Sequence, residues 1–254
     1  MDKYISFKEK LEKRQKIVGA SISLFHNTFI LEKMIERCDL DFILFDSEHG
    51  VFDTVNLVPS LSTMRLLGTP SIVRVEDAKY NLVAKAVDMG ADGIMIPRTE
   101  TIEQVKTAID GLFFPPIGRK GLGGHGQMRK GEKHEDFYKT RFLFLQIESI
   151  EGLNNLPQIL ETYGEYVSAI VVGPYDLSAT MGIPFEFRNP KHVQAVQKIF
   201  DVSKAYNKSV GIFCDDENAA KFYRDMGANF LWMSIDREYF LRGLKCFIDG
   251  VKDI

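Results

Sequence analysis

Eight short apolar runs, with helix-patterned segments between them, constrain this chain more than any other feature. They occupy residues 17–24, 42–45, 71–75, 93–97, 142–147, 169–173, 209–213 and 230–235. Short continuous apolar runs are the pattern of strands buried on both faces, and strands alternating with helices predict a parallel sheet. Amphipathic helices are expected at 79–89, 101–112, 192–206 and 217–226. Two of these end in Met89-Gly90-Ala91 and Met226-Gly227-Ala228, where a glycine after the last helical residue suits a left-handed cap. The count of eight favours a closed (β/α)8 TIM barrel over an open doubly wound sheet, and 254 residues match one such domain. No linker-like or low-complexity stretch divides the chain. A single α/β domain over 1–254 is predicted, with an N-terminal helix at about 2–14 and a C-terminal helix at about 236–254.

The polar residues that follow these runs carry the chemistry. The second run, Phe42-Ile43-Leu44-Phe45, stops at Asp46, Glu48, His49 and Gly50. The third ends near Arg74, the fifth brings Gln146 and Glu148, and the sixth is followed by Tyr175 and Asp176. In a barrel these ends share one rim, where the active sites of such folds lie. Glu148 and Asp176, from adjacent strands, suit a hard divalent cation such as Mg²⁺ or Mn²⁺ with water in its open positions. A single histidine on another strand is poorly placed to complete a zinc set. Arg74 can bind a carboxylate or stabilise developing negative charge. His49, oriented by Asp46 or Glu48, is a natural general base. Structural roles stand beside each of these: Arg74 as an ion-pair partner, Glu148 as the cap of a helix starting near Glu151, and Asp176 as the cap of the turn after it. Taken together, the set suits proton transfer at carbon next to a metal-polarised carbonyl. A Schiff-base route needs a desolvated lysine on a barrel strand; no run contains one, and Lys208 precedes the seventh at the wrong end.

Other features narrow the class. Thirty-two basic and 35 acidic residues give a net charge of −3, so no nucleic-acid partner is expected. No stretch approaches a membrane span, and the charged start MDKYISFKEKLEKRQK lacks a signal-peptide apolar core. Cys38, Cys214 and Cys246 form no CxxC, which fits a reducing cytoplasm; each is expected to be a small core residue rather than a nucleophile. The glycine-rich stretch at 111–141 reads as a lid or binding flap, and its Gly121-Leu122-Gly123-Gly124 is a weak phosphate signature.

The strings Asp46-x-Glu48-His49-Gly50, Val73-Arg74, Gly90-Ala91-Asp92-Gly93-Ile94-Met95-Ile96-Pro97, Gln146-Ile147-Glu148 and Gly173-Pro174-x-Asp176-Leu177-Ser178 resemble the class II, metal-dependent pyruvate aldolases. That family is typified by 4-hydroxy-2-oxoheptanedioate aldolase and 2-dehydro-3-deoxyglucarate aldolase, and the similarity runs unbroken over about residues 15–245. The resemblance implies cleavage of a 4-hydroxy-2-oxo acid to pyruvate and an aldehyde through a metal-stabilised enolate. It implies Glu148 and Asp176 as ligands of Mg²⁺ or Mn²⁺ (Co²⁺ also fits), Arg74 at the enolate oxygen, and His49 with Asp46 moving protons. Gln146 would line the pyruvate site, and backbone amides around Tyr175 and Asp176 would hold its carboxylate. A homo-oligomer, trimeric or hexameric, with exchanged C-terminal helices is implied too, although Tyr239, Phe240, Leu244 and Phe247 could equally be ordinary core. A citrate-lyase-β-like enzyme acting on a CoA thioester and a non-catalytic keto-acid-binding barrel are the alternatives.

The chain departs from the family pattern at Tyr175, where a small residue is common, and at Glu36–Asp41 before the second strand. It keeps only part of the Arg-Gly element around Arg119, Gly121 and His125. It also lacks a tryptophan near Ser21–Ser23, its only one being Trp232.

Overall fold

The computed structural model describes residues 3–252. All eight apolar runs are strands: β1 (Ile17–Ile22), β2 (Phe42–Asp46), β3 (Ser71–Arg74), β4 (Gly93–Ile96), β5 (Phe142–Ile147), β6 (Ala169–Val172), β7 (Ser209–Cys214) and β8 (Phe230–Ile235). Each pairs in parallel with the next, and β8 pairs with β1, closing the barrel. The strands alternate with helices α1 (Lys3–Glu12), α2 (Thr28–Arg37), α3 (Thr54–Leu66), α4 (Tyr80–Met89), α5 (Ile102–Leu112), α6 (Ile150–Tyr163), α7 (Pro174–Thr180), α8 (Pro190–Ala205), α9 (Glu217–Asp225) and α10 (Asp236–Lys252).

Two apolar clusters explain why the strands are apolar on both faces. Alternate residues such as Phe42, Leu44, Phe142, Phe144, Phe230 and Trp232 fill the barrel interior, while Ile43, Phe45, Leu143 and Leu145 face the helices. The α1 residues Phe7 and Leu11 plug the N-terminal end, with the Phe7 ring edge-on to Phe142 at 5.2 Å. Gly90 and Gly227 adopt the left-handed conformation expected of them, at φ 112° and 108°.

Three expectations are corrected. The segment at 111–141 is not a lid: it follows a helix, and helix-to-strand connections return to the N-terminal end of the barrel, opposite the mouth. There Arg65 donates to the Gly126 and Met128 carbonyls, Lys120 pairs with Asp88, and Arg129 with Asp92. Of the cysteines only Cys214 is buried, its thiol pushed up to about 12 by burial; Cys38 and Cys246 are exposed. Phe240, Leu244 and Phe247 are exposed on α10 rather than core, and of the four only Tyr239 packs on the cluster between strands and helices. Asp236 anchors that helix by its first turn. Its carboxylate accepts hydrogen bonds from Ser23 Oγ and from the Leu24 and Phe25 backbone N–H groups at 2.7–2.8 Å.

Candidate active site

The strand ends place Asp46 and Arg74 side by side, as register partners at the last positions of β2 and β3. Arg74 Nε donates to Asp46 Oδ1 at 2.9 Å and Nη2 donates to Oδ2 at 2.6 Å, a fork on a carboxylate with both side chains under a tenth exposed. Burial works against the charged guanidinium, but the Asp46 pairing together with the charges of Glu48 and Glu148 outweighs it and holds Arg74 above its ordinary range. With two nitrogens engaged, Nη1 is left facing Gln146 Oε1 at 3.4 Å and Glu48 Oε2 at 3.0 Å. Glu48 Oε2 lies off the N–H direction and accepts no hydrogen bond, and burial raises the Glu48 carboxyl despite Arg74.

Glu148, just past the end of β5, is buried. Its Oε1 accepts the Arg98 backbone N–H at 2.7 Å and its Oε2 accepts from Gln146 Nε2 at 2.5 Å. Burial pushes its carboxyl up to about 7; the Arg98 N–H opposes this, and the charges of Asp176 and Glu48 add to it. Gly173 at the end of β6 is required here, because a Cβ would collide with Glu148 Oε2 and Gln146 Nε2. Asp176, in the first turn of α7, lies 3.7 Å from Arg98 Nη2. The helix-cap readings resolve differently for the two acids: Ser149, not Glu148, caps α6, while Asp176 stands inside the first turn of α7.

His49 sits at the rim with its side chain 60% exposed, and the carboxylate nearest its ring is Glu48, at 3.8 Å. From the turn that carries His49, Asp46 accepts the backbone N–H groups of Glu48 and His49 and nothing from the imidazole. The carboxylate that first reads as the imidazole's support therefore serves Arg74. Tyr175 projects across the mouth and donates to Asp215 Oδ1 at 2.6 Å. A cavity of about 450 Å³ joins Asp46, His49, Arg74, Gln146, Tyr175 and Asp176.

Several residues at this mouth escape the sequence reading. Arg98 and Asp215 follow the fourth and seventh runs, so the strand-exit rule applied evenly finds both. Trp232, whose ring lies 5.1 Å from the Arg74 guanidinium carbon, is hidden inside an apolar run and leaves no such signal.

The barrel agrees with what known proteins show. The sequence pattern of the HpcH/HpaI aldolase/citrate lyase family matches residues 24–242. The chain belongs to that family. A 5-keto-4-deoxy-D-glucarate aldolase from Salmonella arizonae is 29% identical over 227 residues, covering 88% of each chain. A 2-keto-3-deoxy-L-rhamnonate aldolase from Salmonella typhi is 26% identical over 243 residues, covering 94% of this chain and 90% of the relative. The crystal structure of an HpcH/HpaI aldolase/citrate lyase family protein from Burkholderia cenocepacia superposes with a TM-score of 0.88 at 26% identity, over 97% of this chain and 99% of that one. The protein is thus a carbon–carbon lyase of the HpcH/HpaI aldolase type.

Proposed function

We propose that the protein cleaves a 4-hydroxy-2-oxo acid to pyruvate and an aldehyde, as a class II aldolase using a divalent cation. The observation that carries this reading is the buried Glu148 carboxylate beside an arginine already locked by Asp46. Relatives named as aldolases of keto-deoxy sugar acids support it over the CoA-thioester alternative.

The donor chemistry fits a hard cation. Among the described residues no three His, Cys, Asp or Glu side chains converge as a ready cluster. Glu148 and Asp176 together offer two carboxylates, and Mg²⁺ or Mn²⁺ held by one or two carboxylates keeps its other positions for water and substrate; Co²⁺ is accommodated by the same set. Burial is the main reason the Glu148 carboxyl is raised, and the charges of Asp176 and Glu48 add to it, a repulsion that a bound positive ion would relieve. When bound, the cation would supply Lewis-acid polarisation of the substrate's keto oxygen.

The protein groups account for the rest. In cleavage the 4-hydroxyl loses its proton as the C3–C4 bond breaks, and that electron pair moves to the C2 oxygen. Arg74 Nη1, which Asp46 does not engage and whose hydrogen bond to Gln146 Oε1 is long at 3.4 Å, stabilises the resulting enolate oxygen. His49 accepts the hydroxyl proton and returns one to C3, directly or through a water, which completes pyruvate. Gln146 holds the orientation of Arg74 and Glu148 through its amide.

Exchange of pyruvate's methyl protons for deuterium, followed by NMR, reads this half-reaction without knowledge of the aldehyde. His49→Ala is expected to slow it by roughly 10²–10⁴, with the urea midpoint unchanged because the ring is solvated. Exchange at the wild-type rate would remove His49 from proton transfer.

Beyond the site, α10 buries only Asp236 and presents Phe240, Leu241, Leu244, Phe247 (81% exposed), Ile248 and Val251. A patch of that kind on an unpaired helix marks an association surface. A homo-oligomer, trimeric or hexameric and with exchanged C-terminal helices, accounts for it. Phe247→Glu is expected to shift sedimentation to a smaller species; a wild-type protein that sediments as a monomer contradicts the assembly. Three unbonded cysteines suit a cytoplasmic setting, and no helix among the described residues is long and apolar enough to cross a membrane.

A further inference from the structure

Beside the cavity of about 450 Å³ at the mouth lies a second of about 500 Å³, open to solvent, between α7, β7, α9 and the loop that follows α7. The two share Pro174, Phe213 and Asp215 as walls. Tyr175 lines the first, and its ring packs against Phe185, Phe187 and Phe213 at centroid distances of 4.8–5.9 Å, all three of which line the second. The Tyr175 ring therefore stands on the mouth side of the partition, backed by the three phenylalanines that line the second cavity. Its hydroxyl is tied across that wall to Asp215 Oδ1 at 2.6 Å, so the ring is fixed at both ends.

We propose that Tyr175 is a specificity-determining partition that limits the aldehyde partner to short chains, and that without its ring the mouth and the second cavity form one cleft able to take longer ones. This rests on the aldolase reading of the site. Tyr175 lines the same cavity as Arg74, Gln146 and Asp176, so the aldehyde partner of an enolate held there shares that space with its ring. The space behind it is lined by Phe185, Phe187, Phe213 and Tyr223, and the charges there are mainly acidic, from Glu186, Asp215 and Asp216. Uncharged aldehydes with an apolar tail fit that lining; acidic ones do not.

The test is aldol addition of pyruvate to propanal, hexanal and octanal, read as the ratio of kcat/KM for octanal to that for propanal within each enzyme. The wild type is expected to favour propanal by roughly tenfold or more, the range a pocket sets by excluding methylenes. Tyr175→Ala is expected to raise the octanal-to-propanal ratio by at least tenfold. Tyr175→Phe keeps the ring between its three phenylalanine neighbours and is expected to hold the ratio within about threefold of wild type. A wild-type enzyme that takes octanal as readily as propanal overturns the partition whatever the variants do. So does an unchanged ratio in Tyr175→Ala, or a Tyr175→Phe ratio that rises as far as that of Tyr175→Ala, which would give the role to the hydrogen bond alone. Deuterium exchange of pyruvate in the wild type is run beside it. Exchange present with an unshifted ratio ends the partition but leaves the aldolase reading; absence of exchange ends both.

Discussion

Arg74→Ala is expected to lower both stability and catalysis, by about 3–5 kcal/mol and by roughly 10²–10³ in pyruvate methyl exchange. The stability loss arises because the substitution leaves Asp46 buried, with its fork of hydrogen bonds gone and only backbone N–H donors remaining. An uncompensated buried carboxylate is costly. Urea titrations of the variant and the wild type measure the loss. Arg74→Lys keeps the charge but not the planar fork, and should recover only part of either quantity. The double variant Asp46→Leu with Arg74→Met separates the two effects. Replacing a buried ion pair by apolar side chains of similar volume is often neutral or stabilising, so stability should return while exchange does not. If exchange returned as well, the guanidinium would have no part in the chemistry.

Glu148→Gln should have the largest catalytic effect. It keeps the shape of the side chain and an oxygen for the Arg98 N–H, but removes the charge that a cation needs. Lewis-acid polarisation contributes several kcal/mol, so methyl exchange should fall by roughly 10³ or more and lose its response to added Mg²⁺ or Mn²⁺. Wild-type exchange that persists in full with EDTA would end the case for a metal.

The same substitution carries a pH signature. The Glu148 carboxyl stands near 7 in the folded chain against an ordinary value of 4.5, so between these limits the folded state binds more protons than the unfolded one. Cation-free wild-type protein is therefore most stable below about pH 4.5 with respect to this group. It should lose on the order of 3 kcal/mol as pH rises through 7. In Glu148→Gln that component of the pH dependence should be absent from the urea midpoints. Cation affinity in the wild type should run the opposite way, rising with pH as the carboxyl ionises.

Much of this site can be read before folding because a parallel barrel is a regular object. Once the eight apolar runs are taken as strands, period-two alternation and one shared rim bring Asp46, Arg74, Gln146 and Glu148 to the same end. The β2–β3 register then makes the first two neighbours. What alternation cannot supply is the choice of partner within a cluster. His49 and Asp46 are three residues apart and read as a pair, yet a guanidinium one strand away offers the Asp46 carboxylate two directed, charge-assisted hydrogen bonds that an exposed imidazole cannot match. Segment 111–141 misleads for a related reason. Glycine content indicates a loop, but the end of the barrel it occupies is set by whether it follows a strand or a helix.

The sequence by itself determined the barrel, the rim and the family, because hydrophobic periodicity and the order of the strand-end motifs are local properties of the chain. Only the tertiary structure decided that Asp46 holds Arg74, that burial and two neighbouring carboxylates raise Glu148, that α10 leaves an apolar face uncovered, and that Tyr175 packs on the phenylalanines lining a second cavity. Each of these depends on distances between side chains far apart in the chain and on how much water remains between them, and neither quantity exists until the barrel has closed.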